Sequence, residues 1–184
     1  MCGLITSNHL MNRASLIAAV CVLSAPSLAQ SPGPAGTTGA AGSNVSTAEF
    51  VRKVAVSDMF EIQSSQLALK KDPDSDTKPF AERMVKDHEQ TTKELKELVQ
   101  TGKVKEQPPT ALDDEHKRKL DDLAKLSGKD FDSSYDQTQK QAHQEAVALF
   151  QAYAQNGDNP DLKQWAAKTL PHLREHLGMA EKLK

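Results

Sequence analysis

Four long stretches of this chain carry apolar residues three and four positions apart, and each stretch is bounded by proline or glycine. A repeat near 3.6 residues dictates amphipathic helices that must bury their stripes against one another. Behind the capping-box string Ser46-Thr47-Ala48-Glu49, the first stripe holds Phe50, Val54, Ile62, Leu67 and Leu69 and stops at Pro73. Asp76 can cap a second helix, with Phe80, Met84, His88, Thr91, Leu95 and Leu98, that ends at Gly102. A loop with Pro108-Pro109 leads to a short helix bearing Leu112, Leu120, Leu123 and Leu126, for which Gly128 is the C-cap signal. The next helix spans about Asp130 to Asn156 with Phe131, Tyr135, Ala142, Ala146, Leu149 and Tyr153. After the Asn156–Pro160 turn, the last helix carries Leu162, Trp165, Leu173, Leu177 and Ala180, with Pro171 expected to bend it. No strand-like alternation of useful length occurs. The spacing predicts an all-α domain over residues 46–184, a four-helix bundle with one extra short connecting helix.

The residues before this domain read as an address and a tether. Arg13, the apolar stretch Ala14–Ala25, Pro26 and Ser27-Leu28-Ala29 have the layout of a secretory signal peptide over 1–29, cleaved after Ala29. Met11 would also make a normal signal start. Residues 30–45 are a Gly/Pro/Ala linker without core-forming side chains up to Asn44. The expected location is therefore the periplasm or the exterior, with no transmembrane segment in the mature protein, because no apolar run reaches about 18 residues.

Composition removes whole classes of function. The sum of 23 basic and 25 acidic residues is −2, which provides no basic field for nucleic acid. Both cysteines, Cys2 and Cys21, precede the expected cut, so thiolate nucleophiles, zinc–cysteine sites and iron–sulfur clusters are excluded from the mature chain. No G-x-S-x-G turn or phosphate-cradling glycine loop is present. Mixed-sign runs such as Lys93–Glu97 and Asp113–Lys119 read as solvated helix faces, with an envelope protein as the candidate partner.

Three strings also carry a family likeness: Phe80-Ala81-Glu82-Arg83-Met84-Val85-Lys86-Asp87-His88, Phe131-Asp132-Ser133-Ser134-Tyr135 with His143, and Leu170-Pro171-His172-Leu173-Arg174-Glu175-His176-Leu177. In this order they resemble the bacterial family called domain of unknown function 4142, across residues 46–184. The resemblance implies an exported, ferritin-like four-helix bundle and no established activity.

Chemistry, if the chain performs any, is expected at mid-height. Glu61 and His88 lie 13 and 14 residues from Asp74, and His143 and His172 lie 15 and 14 residues from Asp158. At 1.5 Å per residue all four fall about 20–22 Å along their helices. His176 shares a helix face with His172 at i,i+4. The candidate metal ligands are thus Glu61, His88, His143, His172 and His176. His116, on the short connector, is expected to be solvated.

Two readings of this layer remain open. It can be a structural His/carboxylate layer that fixes register, with Glu61 or Asp87 as the hydrogen-bond partner of a core histidine. It can instead hold a transition metal; imidazole-rich ligands suit a mononuclear zinc, copper or nickel site. The Glu-x-x-His pairs of di-iron bundles are missing, because Val85, Lys140, Thr169 and Leu173 stand three residues before the histidines. His172-Leu173-Arg174-Glu175-His176 spells H-x-x-E-H, yet only eight residues follow to supply a third ligand. No catalytic residue is assigned. The expected role is binding or structural, in the cell envelope.

Overall fold

The computed structural model describes residues 45–71 and 73–183, which form five helices. The expected signal peptide and the linker up to Asn44 lie outside the described residues. Helix α1 covers Thr47–Lys70, α2 Thr77–Gln100, α3 Asp114–Lys125, α4 Gly128–Asn156 and α5 Pro160–Ala180. There is no strand among the described residues.

Local chemistry explains most of the helix ends. Ser46 caps α1 by accepting the Glu49 amide, but Glu49 turns its carboxylate to Lys53 rather than back to the cap. At α2 the cap is not Asp76. Asp74 accepts both the Asp76 and Thr77 amides, an Asx turn that reaches the helix from two residues further back. The C-terminus of α2 is a Schellman turn: Gly102 has φ +74, its amide bonds Val99, and the Lys103 amide bonds Leu98. Buried Val104 follows and closes the turn with an apolar contact.

Gly128 does not cap α3; it opens α4 with φ +53. The end of α3 is served instead by Lys71, the residue just after α1, whose amino group donates to the Ala124 and Leu126 carbonyls. Asn159 caps α5 through the Leu162 amide, with Pro160 in the first turn, and donates to the Lys103 carbonyl. Helix α5 continues through Pro171, where Pro171 and Ala167 are both exposed, so water can serve the carbonyl that proline leaves unpaired.

Side-chain contacts define the topology. Thr47 meets Tyr153 while Ser65 meets Tyr135, so α1 and α4 are antiparallel. Glu94 meets Trp165 while Arg83 meets Glu175, so α2 and α5 are antiparallel as well. With the α1–α2 and α4–α5 hairpins, α2 and α4 then run in the same direction. The connection between them must travel the length of the bundle, and α3 lies along it against α1, with Arg52 near Asp113 and Phe60 edge-on to His116. One long crossover of this kind is the ferritin-like arrangement.

The interior has two apolar clusters. One contains Phe50, Val54, Leu95, Phe150, Tyr153, Leu162 and Trp165, and Val45 packs against it; Phe50 stacks on Tyr153 with ring centres 4.0 Å apart. The other contains Phe60, Phe80, Met84, Phe131, Tyr135 and Ala180. Buried polar residues are set among them: Asp58 and Glu61 on α1, His88 on α2, Gln139 and His143 on α4, and His176 on α5, with Ser64 and Ser65 of α1 inside the second cluster, where Ser65 bonds Tyr135.

Candidate metal centre

Each histidine of the layer occupies a stripe position that would otherwise be apolar. His88 lies between Met84 and Leu95, His143 between Gln139 and Phe150, and His176 between Leu173 and Ala180. All three are at least 97% buried, as is Glu61 at 1% exposure. The rings face one another, with centres 5.7 Å apart for His88–His143, 5.6 Å for His88–His176 and 5.4 Å for His143–His176. Each ring offers one nitrogen, and these atoms lie within 4.8 Å of one another.

The outer nitrogens are held by acceptors. His88 Nδ1 bonds Asp58 Oδ1 at 2.8 Å, His143 Nδ1 bonds the Gln139 carbonyl at 2.8 Å, and His176 Nε2 bonds Asp87 Oδ2 at 2.9 Å. A carbonyl or carboxylate oxygen can only accept, so each of these nitrogens carries the proton. In the neutral rings the lone pairs then sit on His88 Nε2, His143 Nε2 and His176 Nδ1, and these three atoms have no hydrogen-bond partner. Asp58 is itself fixed by the Thr91 and Thr92 hydroxyls, and Asp87 by Arg83. Carboxylate or carbonyl behind imidazole is the outer shell that orients metal-binding histidines.

Electrostatics keeps two of the rings neutral. Burial, reinforced by repulsion from His88, lowers His143 to about 3. Burial lowers His176 to about 4 even though the Asp87 hydrogen bond pulls the other way. Burial also disfavours charge on His88, but the Asp58 hydrogen bond and charge, with Glu61 and Asp87, outweigh it and raise that pKa. Burial pushes the Glu61 carboxyl up to about 7, against the opposing influence of His88 and the Gln139 amide. That amide makes its hydrogen bond with Ser64, and both Glu61 oxygens are left without a partner.

His172 is not part of this group. It is exposed, because it precedes the buried Leu173 by one residue, or about 100° around α5. The height estimate favoured His172, but side chains lean toward the N-terminus of their helix. On α4 that lean carries the His143 ring away from the α4–α5 turn, and on α5 it carries the His176 ring toward it. The matching residue on α5 is therefore one turn further along. Of the two expected carboxylate partners, Asp87 bonds His176 and Glu61 bonds none of the rings, while His88 is served by Asp58. Asp58 was not singled out from the sequence, and its one signal is a carboxylate one turn before Glu61. His116 is only half-buried rather than solvated, bonded to Asp113 and edge-on to Phe60. Within the H-x-x-E-H string, Glu175 pairs with Arg83 at the surface, away from any peptidase arrangement.

The donor set suits a first-row transition ion. Three atoms no more than 4.8 Å apart share a point within about 2.8 Å of each, so inward movement of about 0.7 Å per ring reaches zinc–nitrogen bonding distance. Three imidazoles and a buried carboxylate are ligands that zinc, copper and nickel accept.

No curated protein matches this chain in sequence. Solved structures similar in fold include CopM in the Cu(I)-bound form, at 20% identity and TM-score 0.60 over 74% of this chain and 93% of that one. CopM in the Cu(II)-bound form matches at 20% identity and TM-score 0.61, over 74% and 94% respectively. A DUF305 fragment from Deinococcus radiodurans matches at 14% identity and TM-score 0.62, over 73% of this chain and 92% of that one. The sequence over residues 32–183 matches the family described as domain of unknown function (DUF4142), and the chain belongs to that family.

Proposed function

We propose that this protein binds one transition-metal ion at the His88–His143–His176 triad, with Glu61 as the buried carboxylate that completes or balances the site. The observation that carries this reading is that three buried rings each offer a nitrogen within 4.8 Å of the others, while one nitrogen of every ring has no hydrogen-bond partner. A layer built only to fix helix register should satisfy its polar atoms, since each buried unpartnered group costs about 1–3 kcal/mol. Here one nitrogen of each ring is bonded, whereas the other nitrogen and both Glu61 oxygens are not. A cation held by the three rings would remove that cost for the ring nitrogens that bind it.

Copper is the first ion to test, because CopM, similar in fold, is solved in Cu(I)- and Cu(II)-bound forms. Zinc and nickel follow from the ligand types. We place the site in an exported, envelope protein, in keeping with the signal-like residues 1–29, and assign it a binding role rather than catalysis.

The test is elemental analysis of untagged protein after loading with Cu(II), Zn(II) or Ni(II) and desalting. One ion per chain is expected, lost in His143→Ala. A folded wild-type protein that retains none of the three ions refutes the reading.

A further inference from the structure

Between α2 and α5 a cleft of about 330 Å³ opens to the surface. Two members of the buried triad, His88 and His176, line it, and so do Thr91, Asp87, Glu94 and the exposed His172. We infer that this cleft is the passage by which the ion reaches the triad, and that His172 is the group that first captures it. The inference rests on the metal-binding reading above.

Three features support the assignment. The triad is nearly closed to solvent, so an ion needs a defined approach, and this cleft borders two of its three rings. His172 stands one helical turn from His176 on α5, a spacing that lets an ion held by one imidazole be handed to the next. Glu94 stands at the same opening, its carboxylate fixed by hydrogen bonds from Trp165 Nε1 at 2.8 Å and Gln90 Nε2 at 2.9 Å. A held carboxylate beside an exposed imidazole offers a cation two ligating groups, set against the Lys168 and Arg83 charges that line the same cleft. The competing approach is the larger groove of about 620 Å³ along α1, α3 and α4, which holds His116. It meets the triad only at His88, alongside Asp58, whose carboxylate already occupies that ring's Nδ1.

Trp165 supplies the readout. It is the sole tryptophan of the chain, and its indole bonds Glu94 at the cleft. Metal-free full-length protein mixed with Cu(II) in a stopped-flow instrument should show quenching of its fluorescence as the ion arrives. His172→Ala should slow the phase that leads to the stable complex by roughly tenfold, the lower end of what local steering adds to association rates. Final stoichiometry and equilibrium affinity should stay at wild-type values, and His172→Glu, which restores a ligating group, should recover the rate. His116→Ala should leave uptake unchanged. An unaltered rate in His172→Ala, or slowing by His116→Ala instead, overturns the assignment while the triad stands. Loss of affinity in His172→Ala equal to its loss of rate overturns it too, by making His172 a resident ligand. A wild-type protein that never takes up Cu(II), Zn(II) or Ni(II) marks failure of the triad reading itself.

Discussion

Replacing Glu61 by Gln should stabilise the metal-free protein and weaken the metal-bound one. Burial raises the Glu61 carboxyl from the ordinary 4.5 to about 7. An acid whose folded pKa lies above its unfolded value favours the folded state most when protonated. Its contribution is therefore neutral below pH 4.5, becomes increasingly unfavourable as pH rises toward 7, and stays at its full cost above that. At 1.36 kcal/mol per pH unit, the full cost is roughly 3 kcal/mol. Glutamine keeps the shape and carries no charge, so Glu61→Gln should gain nothing at pH 4.5 and up to roughly 3 kcal/mol at pH 8. Loss of the Glu61 carboxylate also withdraws support from charged His88, which trims the gain. For a domain of this size the shift corresponds to about 10 °C in Tm. The assay is thermal and urea unfolding of both proteins in chelator from pH 4.5 to 8. His143 and His176 titrate in both, so the difference between the two curves reports Glu61 together with its coupling to His88. A gain independent of pH, or none at pH 8, would refute the argument that a buried charge is the source. With Cu(II) or Zn(II) added, the wild type should gain more stability than the variant, a reversal that a purely structural carboxylate does not produce.

Further outcomes follow from other contacts. Asp58→Asn keeps the size of the group behind His88 but weakens its hold on the ring, and should lower metal affinity by about 10–100-fold, measured by competition with a chelating dye. Phe50→Ala removes a fully buried ring from the stack with Tyr153, Phe150 and Trp165 and should cost about 3–5 kcal/mol in urea unfolding. Asn159→Ala removes the α5 cap and the bond to Lys103, and a loss of about 1–2 kcal/mol is expected by the same measurement.

How much of the site was legible depends on the kind of information each residue carries. Glu61, His88 and His143 could be nominated because helical rise places them near mid-height, and His176 because it shares a helix face with His172 at i,i+4. His172 satisfies the same height rule and fails on rotation, since one residue's offset from Leu173 moves it to the surface. Asp87 could be named as a carboxylate for a core histidine but not assigned to His176, and Asp58 gives no such signal, because these pairings join residues 89 and 30 positions apart in the chain.

Periodicity, prolines and glycines were enough to determine five helices, two hairpins and a buried face for each, since these depend on interactions within a few residues. Local pattern misassigned the cap of α2 and the role of Gly128, where Asp74 and the distant Lys71 supply the hydrogen bonds. Only tertiary packing decided that α2 and α4 run parallel, that α5 presents His176 instead of His172, and that three buried rings meet with one nitrogen of each bonded and the other without a partner. The physical reason is that side-chain lean and helix rotation, each about one turn or less, become a choice of residue only when four helices share one interior.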